Sequence, residues 1–127
     1  MRYYFIEILA CPHCKHFPLE HYTIEEVEDP VETPVDKLRC KNWCGLYSRK
    51  AEEVPIDRCR ECVNREMVTG LLICNNCGRW YPVLDKIPRL IDDKYRREKE
   101  DKEFLSKYLS QIPEHVRNKM VYPPVTR

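Results

Sequence analysis

CNNCGRWYPVLDKIPRLI, residues 74 to 91, decides how this chain is read. Two cysteines separated by two residues open it, aromatic and β-branched residues follow, and an apolar segment closes it. No acid, base or nucleophile stands in a catalytic arrangement. Cys-x-x-Cys turns two thiolates toward one point, which supplies half of a tetrahedral zinc site. WYPVL (80–84) and IPRLI (87–91) read as strands joined by a turn at Asp85 and Lys86, and GLLIC (70–74) reads as a buried strand entering the knuckle. The stretch is thus a metal knuckle joined to a small sheet.

The other cysteines repeat the pattern. Cys11 and Cys14 (CPHC), Cys40 and Cys44 (CKNWC), Cys59 and Cys62 (CREC) complete a set of eight in 127 residues. Four pairs make two four-thiolate sites, so two zinc ions are expected. Three pairings are open on spacing alone. Joining neighbours leaves 25 and 11 residues between pairs, whereas nesting leaves 14 and 59. The inner interval of the nested scheme is close to the roughly 15–20 residues of a common zinc arrangement. Nesting is the preferred reading, with Cys11, Cys14, Cys74 and Cys77 outside and Cys40, Cys44, Cys59 and Cys62 inside. A redox role for CPHC requires a preceding strand and a long following helix, but Pro18 interrupts any helix just beyond Cys14. A catalytic zinc is disfavoured because thiolates close both sites. His13 and His16, beside the first knuckle, read as exposed polar side chains.

Size and charge narrow the class. A signal sequence does not fit residues 1 to 12, MRYYFIEILACP, and no stretch approaches the roughly 20 apolar residues of a membrane span. The expectation is a soluble cytoplasmic protein with reduced cysteines. The net charge is +1, which argues against an affinity built mainly on neutralising phosphates. The charge is uneven, however: residues 20 to 36 hold seven acids and no Lys or Arg, and residues 37 to 50 hold five bases and no acid.

Along the chain, residues 2 to 9 place Tyr4, Phe5, Ile8 and Leu9 at helical spacing, a short helix delivering Cys11. Residues 19 to 28 alternate roughly as a strand, with the acidic run read as a solvated strand edge leading to a proline-rich linker at 30 to 34. Residues 37 to 69 have few core formers and should depend on their own metal for order. Asp92 or Asp93 can cap a helix whose stripe of Phe104, Leu105, Tyr108, Leu109 and Ile112 either packs on the zinc domain or docks a partner. Pro113 ends or kinks it, EHVRNKM is a shorter helical piece, and VYPPVTR is extended. The fold class is α+β, a small zinc-binding domain with a short N-terminal helix, a small antiparallel sheet, a cysteine-rich insert and a helical C-terminal extension. Residues 1–29 and 70–91 would form the core, 30–69 the insert lobe and 92–127 the tail.

The runs EILACPHCK and LLICNNCGRWYPVLDKIPRLI resemble a family, the small zinc-binding activator subunits of S-adenosylmethionine-dependent methyltransferases. The pattern Leu-Glu-Ile-Leu, Cys-Pro-x-Cys, Cys-x-x-Cys-Gly-x-x-Tyr-Pro, Ile-Pro-x-Leu is matched by residues 7 to 14, 74 to 82 and 87 to 90, and an archaeal-type member is implied. The resemblance implies a non-catalytic protein. It would form a heterodimer with methyltransferases acting on tRNA, ribosomal RNA or a release factor, adding a strand to the catalytic subunit's sheet. On this chain the partner-binding side chains would be Ile87, Pro88, Leu90 and Ile91, since an open edge offers unpaired backbone groups. Lys86 stands where the family commonly has glycine. The second zinc comes from spacing and not from the resemblance. A different class also fits the basic insert, a zinc-ribbon RNA-binding module in which Lys37, Arg39 and Lys41 contact phosphates and Trp43 stacks on a base.

Overall fold

Alternation builds the centre of the molecule. In the computed structural model, which describes residues 1 to 121, the strand Arg65–Ile73 runs through the middle of a sheet. Leu72 faces one side and Leu71 and Ile73 the other, as the two-residue period of a strand requires, and a register irregularity opposite Glu25 and Glu26 brings Met67 round to the Leu72 side. The neighbouring strand Trp80–Leu84 follows suit, with Tyr81 and Val83 on the first side and Trp80 on the second. In chain order the strands are β1 (Glu20–Glu28), β2 (Trp43–Cys44), β3 (Arg49–Lys50), β4 (Arg65–Ile73), β5 (Trp80–Leu84) and β6 (Ile87–Pro88). β1, β4, β5 and β6 form one antiparallel sheet in the order β1-β4-β5-β6, and β2 pairs with β3 separately.

Both faces of the larger sheet are covered. A 3-10 helix, Tyr3–Ile8, seats Tyr3 and Ile6 with Leu19, Met67, Leu72, Tyr81 and Val83 on one side. The expected N-terminal helix is therefore present in its tighter form. On the other side, α3 (Glu98–Tyr108) and α4 (Glu114–Arg117) bring Phe104, Leu105, Tyr108, Ile112, Val116 and Met120 onto Leu71, Ile73 and Trp80. Burying each such side chain contributes about 1.5–3 kcal/mol before entropy is subtracted. The apolar stripe of the C-terminal extension packs on its own sheet, which settles the choice between packing and docking for those residues. Two shorter helices, α1 (Val35–Leu38) and α2 (Ile56–Cys62), lie between β1 and β4. No helix among the described residues is long and apolar enough to cross a membrane.

Three elements differ from their sequence reading. The strand before the second knuckle begins at Arg65 and not at Gly70, because residues 65 to 69 pair with β1 at Glu25 to Glu28 and bury Met67 and Thr69. The third strand, expected over 87 to 91, stops at Pro88. The Arg89 N–H still reaches the Pro82 carbonyl, but the Ile91 N–H folds back to the Arg89 carbonyl and ends the extended path. In the tail, the Asp92 side chain caps a 3-10 turn, Asp93–Tyr95, and the α-helix starts later, at Glu98. Of VYPPVTR, expected to be extended, residues 122 to 127 lie outside the described residues.

Candidate metal centre and open sheet edge

The two knuckles of the outer scheme meet. The Sγ atoms of Cys11, Cys14, Cys74 and Cys77 all lie within 4.8 Å of one another. Cys11 and Cys77 are 3.7 Å apart and Cys14 and Cys74 3.5 Å apart. A tetrahedron with metal–sulfur bonds of about 2.3 Å has edges of roughly 3.8 Å, so this donor set fits a zinc ion. Local structure explains the convergence. The Lys15 N–H returns to the Cys11 carbonyl and the Gly78 N–H to the Cys74 carbonyl, closing each knuckle as a turn. Lys15 and Gly78 then take positive φ of 67° and 75°. At Gly78 a side chain would be strained and would also press on Val121, whose N–H donates to the Gly78 carbonyl at 2.8 Å.

The surroundings favour thiolates. Asn76 donates to Cys14 Sγ at 3.4 Å, and this bond with a second from the His16 backbone holds the Cys14 thiol down at about 6. Cys74 is buried, and burial pushes its thiol up to about 12. A bound cation reverses that penalty by supplying the missing positive charge. Tyr81, fully buried, places its hydroxyl 3.1 Å from Cys11 Sγ, where it can donate to the thiolate. Burial and the facing sulfur both raise the Tyr81 pKa, so the phenol stays protonated.

The inner cysteines are brought to one place but less tightly. Cys40, Cys44, Cys59 and Cys62 line a common cavity, yet among the described residues only the outer four close to 4.8 Å as a cysteine tetrad. His13, Asp92 and Asp93 also gather, with Asp93 engaged at 2.6 Å by the largely buried Arg79.

The segment after the knuckle ends at an open edge. Asp85 and Lys86 take φ of 50° and 70°, the paired left-handed conformation of a two-residue hairpin turn, so Lys86 fills the position without being glycine. Its N–H donates to the Val68 carbonyl at 3.0 Å. Beyond the turn Ile87 is 62 % exposed, whereas Pro88, Leu90 and Ile91 are half-buried and Leu90 packs against the sheet core. Of the basic insert residues, Lys37 and Lys41 are exposed, and Arg39 turns inward to donate to the Val54 carbonyl at 2.9 Å. Trp43 is half-buried, with its ring edge-on to Phe17. Sequence reasoning missed His21 and Glu7, both at the junction of sheet and insert. The His21 ring hydrogen-bonds the Gly45 backbone, and its Nδ1 is buried without a partner. No local signal marks either residue.

An α+β chain folded around four converging cysteines, with a short strand left open beside them, is a small cysteine-centred module whose donor set suits a metal ion. The Trm112p-like family model matches residues 2–85, more than half of the chain, and the protein belongs to that family. Membership implies a methyltransferase activator role. No protein of curated function matches the chain significantly.

Proposed function

We propose that this protein is a non-catalytic subunit that binds an S-adenosylmethionine-dependent methyltransferase and stabilises and activates it. The catalytic partner acts on tRNA, ribosomal RNA or a release factor, and the pair forms in the cytoplasm through strand addition at β6. The observation that carries the reading is Ile87, a large apolar side chain 62 % exposed on an open edge next to the cysteine centre of a Trm112p-like chain. Cys11, Cys14, Cys74 and Cys77 hold a structural zinc that fixes the approach of this edge. The core comprises residues 1–29 and 70–91, the insert 30–69 and the tail 92–127.

The opposite edge is a poor competitor. β1 displays Glu25, Glu26 and Glu28, all exposed, and carries register irregularities near Thr23 and Glu25. Charge and bulges of this kind discourage strand addition. On the β6 side, Arg89 spends its N–H on the Pro82 carbonyl. Pro88 offers no donor, which fits a short added pairing anchored by side chains. A groove of about 380 Å³ between this segment and α3, lined by Leu84, Ile91, Phe104 and Tyr108 among others, continues the surface.

The test is co-purification and methyl transfer. The chain alone should transfer no methyl group, and it should raise the soluble yield and activity of its methyltransferase. Ile87→Glu should abolish association without unfolding the chain, because this side chain is outside the core. Association that survives the change sinks the edge. An RNA-binding reading keeps Lys37 and Lys41 as exposed cations, and salt-sensitive RNA binding by the isolated chain would favour it.

A further inference from the structure

Four thiols outside the outer tetrad share a cavity of about 20 Å³, enough for one water or one ion. Cys59 and Cys62 sit three residues apart on α2 and so point from one face of it, toward Cys40 and Cys44 at the entry to β2. None of the four is in a disulfide. Leu38, Ala51, Val54 and Val63 supply much of the remaining lining, and Arg39 and Arg58 stand at the same cavity. The surrounding lobe lacks the means to hold such a cluster by packing. β2 and β3 are two residues each, α1 is four and α2 seven, all too short to be stable alone.

One half of the cluster is already shaped. Glu7 Oε1 accepts hydrogen bonds from the successive backbone N–H groups of Lys41, Asn42 and Trp43, at 2.8 Å from Lys41 and 3.2 Å from Trp43. Those three amides are the whole segment between Cys40 and Cys44. One carboxylate thus folds the knuckle into an anion-binding nest. Immediately after it, Gly45 packs so closely on the N-terminal helix that an added Cβ would collide with the Ile6 side chain.

We propose that Cys40, Cys44, Cys59 and Cys62 form a second, structural site for a zinc-class divalent cation, with Glu7 as the positioning residue that shapes its first knuckle. The thiol protons leave to solvent as the ion binds. Arg39 and Arg58 offset the double negative charge of the completed centre. The site stands apart from the activator reading. A chain that associates with no methyltransferase still carries two ions if the site is correct, and a working activator with one ion refutes it.

The full-length wild-type chain, loaded with zinc and dialysed, should show two ions per chain by native mass spectrometry, and Cys59→Ser with Cys62→Ser should show one. Saturation of the wild-type chain by a single zinc overturns the proposal. Cobalt titration of the wild-type chain gives the same answer without a variant: thiolate charge-transfer absorption should rise through two equivalents, and a plateau at one excludes the second site. Glu7→Ala should weaken the second ion roughly tenfold in chelator competition and leave the first unchanged. Equal retention of both ions removes Glu7 from the site.

Discussion

His21 lies where the sheet meets the insert, and its position makes stability depend on pH. Its ring is 5.2 Å from that of Tyr3, and burial lowers its pKa against the opposing effect of the Gly45 backbone bond. Arg65 on β4 lowers it further, while Glu20 and Glu26 on its own strand raise it. The unfolded chain therefore takes up a proton at a higher pH than the folded one. His21 stabilises fully above the unfolded value of about 6.5, and that contribution is lost as the pH falls below it. Replacing His21 by Phe keeps a ring against Tyr3 and removes the titrating group. The variant should show a flatter decline in urea-unfolding stability between about pH 6.5 and 5 than the wild-type chain. An unchanged slope would place the acid sensitivity elsewhere.

At the scale of elements, the C-terminal extension is held by Arg96. Its guanidinium lies 5.0 Å from the Trp80 ring centroid, donates to the Trp80 carbonyl at 2.6 Å and pairs with Asp101 at 3.0 Å. With side chains only 7 % and 13 % exposed, the pair is nearly dry. Removing one member leaves the other buried and unpaired. Arg96→Ala should cost about 3 kcal/mol in denaturant unfolding, whereas Arg97→Ala, on an exposed neighbour, should change little. The edge behaves oppositely. Ile87 is exposed and contributes little to the isolated fold, so on the proposed function a charge there should be felt in association. Leu90 touches the core, and a charge at Leu90 mixes the two effects.

Across the whole molecule, what the sequence discloses and what it hides divide by range. Cysteine spacing is local; it leaves three pairings open, and the nested one that it favours contains the outer tetrad whose sulfurs converge. Strand alternation is local too, and Leu71 to Ile73 and Trp80 to Val83 follow it. The start of β4 was hidden because Arg65 and Glu66 look like surface residues. Their partners, Glu26, the amino terminus and Lys86, are distant in sequence. Glu7 was hidden for the same reason, since it caps amides 34 to 36 positions away. The retreat of Leu90 toward the core and the inward turn of Arg39 are tertiary outcomes that no spacing encodes.

The bond from Val121 to Gly78 gives the edge a closed mounting. The chain leaves the knuckle at Gly78, passes through β5, β6 and the helices, and returns to the same glycine. Any load placed on residues 87 to 91 is carried at both ends by one knuckle. Thermodynamic coupling of this kind is reciprocal: whatever the ion does for partner affinity, the partner does for ion affinity. The methyltransferase should therefore act as a retention device for metal. At equilibrium with a chelator the complex should retain more zinc than the free chain, and equal retention would mean that edge and knuckle are not coupled.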